Sequence, residues 1–283
     1  MEVIKDDIEV LNEILEAKRK ENKIIGFVPT MGALHKGHLS LIHKAKEESD
    51  YVVVSIFVNP LQFNNKEDFN KYPRMLESDI EILNKDGHCD LLFAPSTSTI
   101  YPSNFQFKKF NLGHLEEIME GKYRPNHFQG VANVLYIFFK IISPQKVFFG
   151  LKDIQQIFVV KKLIELEGFN IKLYECETVR EENGLAISSR NLLLSKECFN
   201  KASIIYNTLL WIKDNINNYS LEQLKKIGKE KIESVNGFKC EYIEFADAEN
   251  FQIISKKEKN LSIYCCIAVY CENVRLIDNI LIE

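Results

Sequence analysis

Ile24-Ile25-Gly26-Phe27-Val28-Pro29-Thr30-Met31-Gly32-Ala33-Leu34-His35-Lys36-Gly37-His38 is the stretch that decides the architecture. Ile24 to Val28 is a short apolar run stopped by Pro29, which reads as a buried strand. Leu39, Ile42 and Ala45 follow at helical spacing. The segment between them, Pro29 to His38, is therefore a strand-to-helix loop. In an open parallel sheet such loops lie at the carboxyl ends of strands, where ligands bind.

The same alternation extends in both directions. Ile8, Leu11, Ile14 and Leu15 mark a helix within Asp6 to Asn22. Tyr51 to Val58 is a second apolar run, closed by Asn59-Pro60. Leu76, Ile80 and Leu83 give a helix ending at Asp86-Gly87, and Asp90 to Ala94 is a third strand before Pro95. Pro95 to Asn111 reads as loop. A helix from about His127 is stopped by Pro144; a strand at 147–149, a helix at 153–166 and a strand at 171–176 follow. Continuous apolar strands alternating with helices are the mark of a parallel sheet covered on both faces. After Val179 the pattern changes. Two helices, Lys196 to Asn217 and Leu221 to Val235, precede three strands near 240–245, 261–270 and 274–282. We expect an α/β domain over 1–178 and a smaller α+β domain over 179–283. No Gly/Ser linker separates them, so a shared rigid cleft is expected.

The chain has 283 residues, 46% of them hydrophobic and 27% charged, which excludes disorder as the main state. Its 36 basic and 40 acidic residues leave a net charge of −4, which argues against a broad nucleic-acid face. No apolar run approaches the roughly 18 residues of a membrane span, and the acidic start lacks the order of a secretory signal. The seven cysteines form no CxxC pair and are expected as free thiols in a reducing cytoplasm. No Walker loop, GxGxxG fingerprint, zinc-ligand cluster or nucleophile triad is present.

Three segments carry chemistry. In the opening loop, Gly32 and Gly37 permit close approach of backbone to a ligand, and a helix start offers N–H groups to an anion. His35 and His38, three apart, present both imidazoles on one side, placed to stabilise charge in phosphoryl or nucleotidyl transfer. Two surface histidines in a glycine-containing loop is the plainer alternative. Gly150-Leu151-Lys152-Asp153 is a second strand-to-helix junction, with Lys152 set against a phosphate or simply solvated. Ile187-Ser188-Ser189-Arg190 places two hydroxyls and an arginine just before an expected helix, suited to terminal phosphates or to an ordinary Ser cap. Gln62 can exchange hydrogen bonds with a small polar acid, or face water. Asp79 could help hold Mg²⁺, although most such aspartates are solvated. The aromatic and aliphatic positions between Val134 and Ile142 read as packing.

Together the segments PTMGALHKGH, VNPLQF, YPR, RPNHFQGV, FGLKDIQQ and VREENGLAISSRN resemble, in order, the pantoate–β-alanine ligase family. The resemblance covers most of the first two-thirds of the chain. It implies a Rossmann-like nucleotidyltransferase domain, a C-terminal lid, a cytoplasmic homodimer and no nucleic-acid or membrane partner. It implies that pantoate attacks the α-phosphorus of ATP and that β-alanine then attacks the resulting pantoyl adenylate, releasing AMP. Carried over position by position, ATP would contact Met31, Gly32, Ala33, Leu34, His35, Lys36, Gly37 and His38. It would also contact Gly150, Leu151, Lys152, Asp153, Val179, Ile187, Ser188, Ser189 and Arg190. His38, His35, Lys152 and Arg190 would be catalytic. Gln62 would hold both pantoate and β-alanine, Gln156 pantoate, and Mg²⁺ would meet Asp79. Leu151 stands where the family usually has Glu, Ile187 where it has Leu or Met, and Asn126 and Gln129 also depart from its commoner residues. The competing expectations are another HxGH nucleotidyltransferase acting on a phosphorylated acceptor, less readily a class I aminoacyl-tRNA synthetase, and a catalytically inactive nucleotide-binding scaffold.

Overall fold

The computed structural model describes residues 1–258 and 260–283. The chain divides into two compact units. One comprises Met1–Gly150 and Val159–Glu177, the other Leu151–Phe158 and Thr178–Glu283.

The first unit is built on a six-stranded parallel sheet: β1 (Glu2–Ile4), β2 (Ile25–Thr30), β3 (Tyr51–Ile56), β4 (Leu91–Phe93), β5 (Lys146–Gly150) and β6 (Lys172–Cys176). Their order across the sheet is β1-β4-β3-β2-β5-β6. From β2 the chain works outward through β3 to β4, which pairs with the edge strand β1, and then returns to the other side of β2, so the switch point lies between β2 and β5. The register pairs Gly26 with Lys146 and Phe27 with Val147. Continued, it sets Thr30, the end of β2, level with Gly150, the end of β5.

Val52, Val53 and Val54 in β3 are all fully buried, as a strand covered on both faces requires. One face packs Ile42 and Ala45 of α2 (Lys36–Glu48) and Leu83 of α4 (Leu76–Asp86) over Val28, Val52, Val54 and Leu92; α1 (Ile8–Lys20) and α3 (Lys66–Lys71) precede them in turn. On the sheet's aromatic side, Phe138 sits edge-on to Phe27, Phe57 and Phe93, with centroids 5.7–6.1 Å apart. Such pairs add about 0.5–1.5 kcal/mol each beyond burial. Phe138 belongs to α7 (His127–Ile142), whose aromatic run is therefore core packing, as expected; the short α5 (Thr97–Ile100) and α6 (Met119–Tyr123) lie before it.

The strand reaches two residues further than Pro29 suggested. Pro29 pairs with Ser55 on the β3 side, beyond the last residues paired with β5, so its missing N–H interrupts no ladder there. The segment 95–111, expected as loop, contains α5, capped by the Ser96 hydroxyl on Thr99 N–H.

The second unit pairs β7 (Phe238–Asp247), β8 (Ile263–Cys271) and β9 (Val274–Ile282) as an antiparallel sheet. Ile205, Leu209 and Ile212 of α10 (Ser203–Asp214) and Leu224 and Ile232 of α11 (Leu221–Glu233) pack with Ile243, Cys265, Ile267 and Val269. The helix expected over 196–217 is two, α9 (Lys196–Lys201) and α10, divided at Ala202, whose N–H is shared between the carbonyls of Cys198 and Phe199. Residues 151–158, the start of α8 (Ile154–Glu167), group with this unit rather than the first. Asn279 of β9 donates to the carbonyls of Leu151 and Lys152, and Phe158 stacks on Phe251.

The expectation of seven free thiols is corrected at one pair. Cys198 of α9 and Cys271 of β8 form a disulfide, with Cα atoms 6.1 Å apart. Cys89, Cys176, Cys240, Cys265 and Cys266 form no disulfide. No helix among the described residues is long and apolar enough to cross a membrane.

Candidate active site

The loop after β2 is held in an uncommon backbone conformation. Gly32 has φ +79° and Ala33 φ +49°, both left-handed. A Cβ at Gly32 would stand 2.9 Å from Asp79 Oδ2 and 3.0 Å from Ile56 Cγ2, so this position needs glycine twice over. Thr30 Oγ1 donates to Ser55 O at 2.7 Å and accepts from Gly32 N at 3.2 Å. The Asp79 carboxylate accepts from Ala33 N at 2.9 Å and Leu34 N at 2.7 Å.

These contacts deliver His35 as the residue capping α2, with its carbonyl accepting from the N–H groups of His38 and Leu39. One turn then places the two imidazoles face to face, with centroids 3.9 Å apart and planes inclined by 20°. The expected pairing of His35 and His38 on one side of the helix start is therefore present. A helix start directs unspent backbone N–H groups and a partial positive charge the same way, which suits an anion.

Asp79 is 1% exposed, and each carboxylate oxygen already accepts a backbone N–H. Burial pushes its carboxyl above the ordinary range, with the Leu34 and Ala33 N–H groups pulling the other way. A Mg²⁺ ligand needs oxygens open to a hydrated ion. The fit at Asp79 is to the loop, so it braces the loop rather than offering itself to a cation.

Gln62 ends a short 3₁₀ turn, Pro60–Gln62, and is 8% exposed. Its amide donates to Met31 Sδ at 3.0 Å and accepts from Asn59 Nδ2 at 3.0 Å, joining it to the first loop. Asn59 also donates to Gly130 O and accepts from Leu61 N and Tyr101 Oη. His127 Nδ1 and Arg124 Nη2 lie 2.8 and 3.4 Å from the Gln62 carbonyl. Asn59, His127 and Arg124 were not singled out from sequence as supports of Gln62; only the proximity of VNPLQF to Pro-rich turn chemistry could have hinted at Asn59. The departures at Asn126 and Gln129 have structural roles. Asn126 takes φ +64°, which Asn tolerates, and Gln129 exchanges two hydrogen bonds with the Phe110 backbone.

In the second unit, Leu151–Asp153 forms a 3₁₀ turn directly after Gly150. Lys152 is mostly covered, 3.7 Å from Asp153, and its carbonyl is fixed by Asn279. Gln156 follows on α8, partly exposed. Residues 179–187 close on themselves: Ile187 N donates to Val179 O at 3.0 Å and Glu181 N to Leu185 O at 2.8 Å. Val179 and Ile187, expected as ATP contacts from opposite ends of one segment, are thus neighbours. Ser188 caps the 3₁₀ helix Ser189–Leu193, its hydroxyl accepting from Arg190 N at 3.2 Å. Arg180 anchors the hairpin through two bonds to Asp278, at 2.6 and 2.9 Å, and lies over the Tyr206 ring. Burial raises the Asp278 carboxyl and Arg180 opposes that rise.

Burial pushes the Cys89 and Cys240 thiols up to about 12 and Cys176 up to about 11, so none is a thiolate nucleophile near neutral pH.

The comparisons agree along the whole chain. A model of the pantoate-beta-alanine ligase family matches residues 3–281. The pantothenate synthetase of Azobacteroides pseudotrichonymphae is 44% identical over 280 residues, 99% of each chain. The crystal structure of pantothenate synthetase from Thermus thermophilus superposes with a TM-score of 0.90 at 38% identity, covering 99% of each chain. That of pantoate-beta-alanine ligase from Francisella tularensis, complexed with beta-gamma ATP and beta-alanine, gives 0.81 at 39% identity, covering 99% of this chain and 97% of the other. This chain belongs to the pantoate-beta-alanine ligase family.

Proposed function

We propose that this chain joins pantoate to β-alanine at the expense of ATP, in two steps. A pantoate carboxylate oxygen attacks the α-phosphorus of ATP, the bond to the β-phosphate oxygen breaks, and pyrophosphate leaves. The β-alanine amine then attacks the acyl carbon of pantoyl adenylate, loses a proton, and expels AMP. Membership of the family supports this reading, as does the ATP and beta-alanine complex of the Francisella relative.

The observation that carries it is the stacked His35–His38 pair on the first turn of α2, at the sheet's switch point. Both substrates of the first step are anions, so positioning and charge stabilisation supply the catalysis. In this reading, backbone groups from Met31 to His38 and the two imidazoles serve the phosphates. Gly150 to Asp153, Val179 and Ile187 to Arg190 complete the nucleotide contacts, with Lys152 and Arg190 supplying positive charge. Gln62, seated on Asn59, would fix pantoate and then β-alanine, and Gln156 would hold pantoate. Mg²⁺ riding on the triphosphate would neutralise part of its charge; Asp79 is not its ligand in this account. The reading also carries a homodimer and a cytoplasmic setting.

Pantoate labelled with ¹⁸O in its carboxylate tests the route. Attack at the α-phosphorus moves one ¹⁸O into AMP. Label in inorganic phosphate, with ADP formed, would overturn the adenylate.

A further inference from the structure

His43, Asp86 and His88 meet outside the site just described. His43 lies on α2 five residues past His38, about 140° round the helix and about 7.5 Å along it. Asp86 ends α4. Gly87, with φ +75° and its N–H on Leu83 O, turns the chain so that His88 folds back on Asp86. His43 Nε2 lies 2.6 Å from Asp86 Oδ1, and His88 Nδ1 lies 3.1 Å from Asp86 Oδ2. The two rings are 4.5 Å apart. The carboxylate is seated in the fold at 10% exposure, while the imidazoles stand open at 47% and 46%.

Among the described residues this is a group of three whose ligand atoms all lie within 4.8 Å of one another. Four-coordinate zinc with bonds of about 2.0–2.2 Å separates its ligand atoms by about 3.4 Å. Two imidazole nitrogens and one carboxylate oxygen suit zinc and its transition-metal neighbours; Mg²⁺ and Ca²⁺ prefer oxygen alone. We propose that His43, Asp86 and His88 bind one divalent transition-metal ion of the zinc class, with a fourth position open to solvent. Such an ion would tie α2 to α4. Two turns earlier on α4, Asp79 already braces the loop that leads into α2, so the ion would add a second tie between α4 and the segment that presents His35 and His38.

The test uses untagged full-length chain, stripped with chelator and titrated with Co²⁺ and then Zn²⁺ at pH about 7.5, where an ordinary imidazole is mostly neutral. The expected result is one saturable Co²⁺ equivalent that depends on the triad, with visible absorption, no thiolate charge-transfer band, and displacement by Zn²⁺. His43→Ala and His88→Ala should each weaken binding at least about 10-fold, since even an outer-shell partner is worth about 10–100-fold. The double variant should lose that equivalent while keeping its circular dichroism. Equal Co²⁺ binding by wild type and double variant, a thiolate band, or no saturable binding would each overturn the proposal.

Discussion

One oxygen of the Asp79 carboxylate takes the Leu34 N–H at 2.7 Å, and the other takes Ala33 N–H at 2.9 Å. Two left-handed residues, Gly32 and Ala33, are thereby held in the loop that presents His35 and His38. Asp79→Asn keeps the shape but turns one acceptor into a donor facing an N–H. Leaving a buried donor unmade costs about 1–3 kcal/mol. We expect that loss in urea unfolding, together with reduced kcat. Wild-type stability in Asp79→Asn would show that the brace is not needed.

Gly130 on α7 gives a sharper test of packing. A Cβ there would stand 2.2 Å from Leu61 O and 2.7 Å from Gln62 N. Helix propensity alone favours Gly130→Ala by about 0.8–1.0 kcal/mol. The clash is with backbone, and overpacking of this kind costs about 1–3 kcal/mol or more. The clash should win: Gly130→Ala should unfold at lower denaturant and raise KM for pantoate by displacing Gln62. A stabilised variant with unchanged KM would contradict the contact.

Arg180, half-buried, and Asp278, buried, form a two-bond ion pair within the second unit. Removing one member of such a pair costs about 3–5 kcal/mol, because the other charge is left uncompensated. Arg180→Ala should approach that loss at neutral pH. Burial then acts on Asp278 against only the Asn279 N–H and the Lys152 charge, so its carboxyl rises further above its unfolded value. A folded-state pKa raised in this way gives stability that is present at low pH and lost as pH rises. The deficit of Arg180→Ala against wild type should therefore shrink as pH falls through this raised folded-state pKa, above the ordinary carboxylate range. A deficit that is constant with pH would contradict an uncompensated Asp278.

His38→Ala and Lys152→Ala probe the two units separately. Each should lose at least about 10²-fold in the rate of pyrophosphate release, the scale of removing a preorganised charge stabiliser. Near-normal turnover in either would overturn the role proposed for that residue.

Much of the architecture was legible because β2 and β3 are continuous apolar runs and because Gly87 marks the end of α4. The edge strand β1 escaped notice: three residues, two of them exposed, carry no periodicity. Ala202 divides a helix without a Gly or Pro signal. Cys198 and Cys271, 73 residues apart, give no spacing clue to their pairing. The histidine pair was readable because both residues lie on one helical turn. The true work of Asp79 was not, since its partners lie 45 and 46 residues away in the chain. From sequence alone it read as a candidate Mg²⁺ contact or as a solvated aspartate on a helix. The His43–Asp86 contact was invisible for the same reason, as only the folded α2–α4 pair joins residues 43 apart in the chain.

The most direct measurement is AMP release from ATP with pantoate and β-alanine supplied singly and together. The account predicts sustained AMP formation only when both are present. Turnover that ignores β-alanine, or that requires a phosphorylated acceptor in place of pantoate, would contradict it.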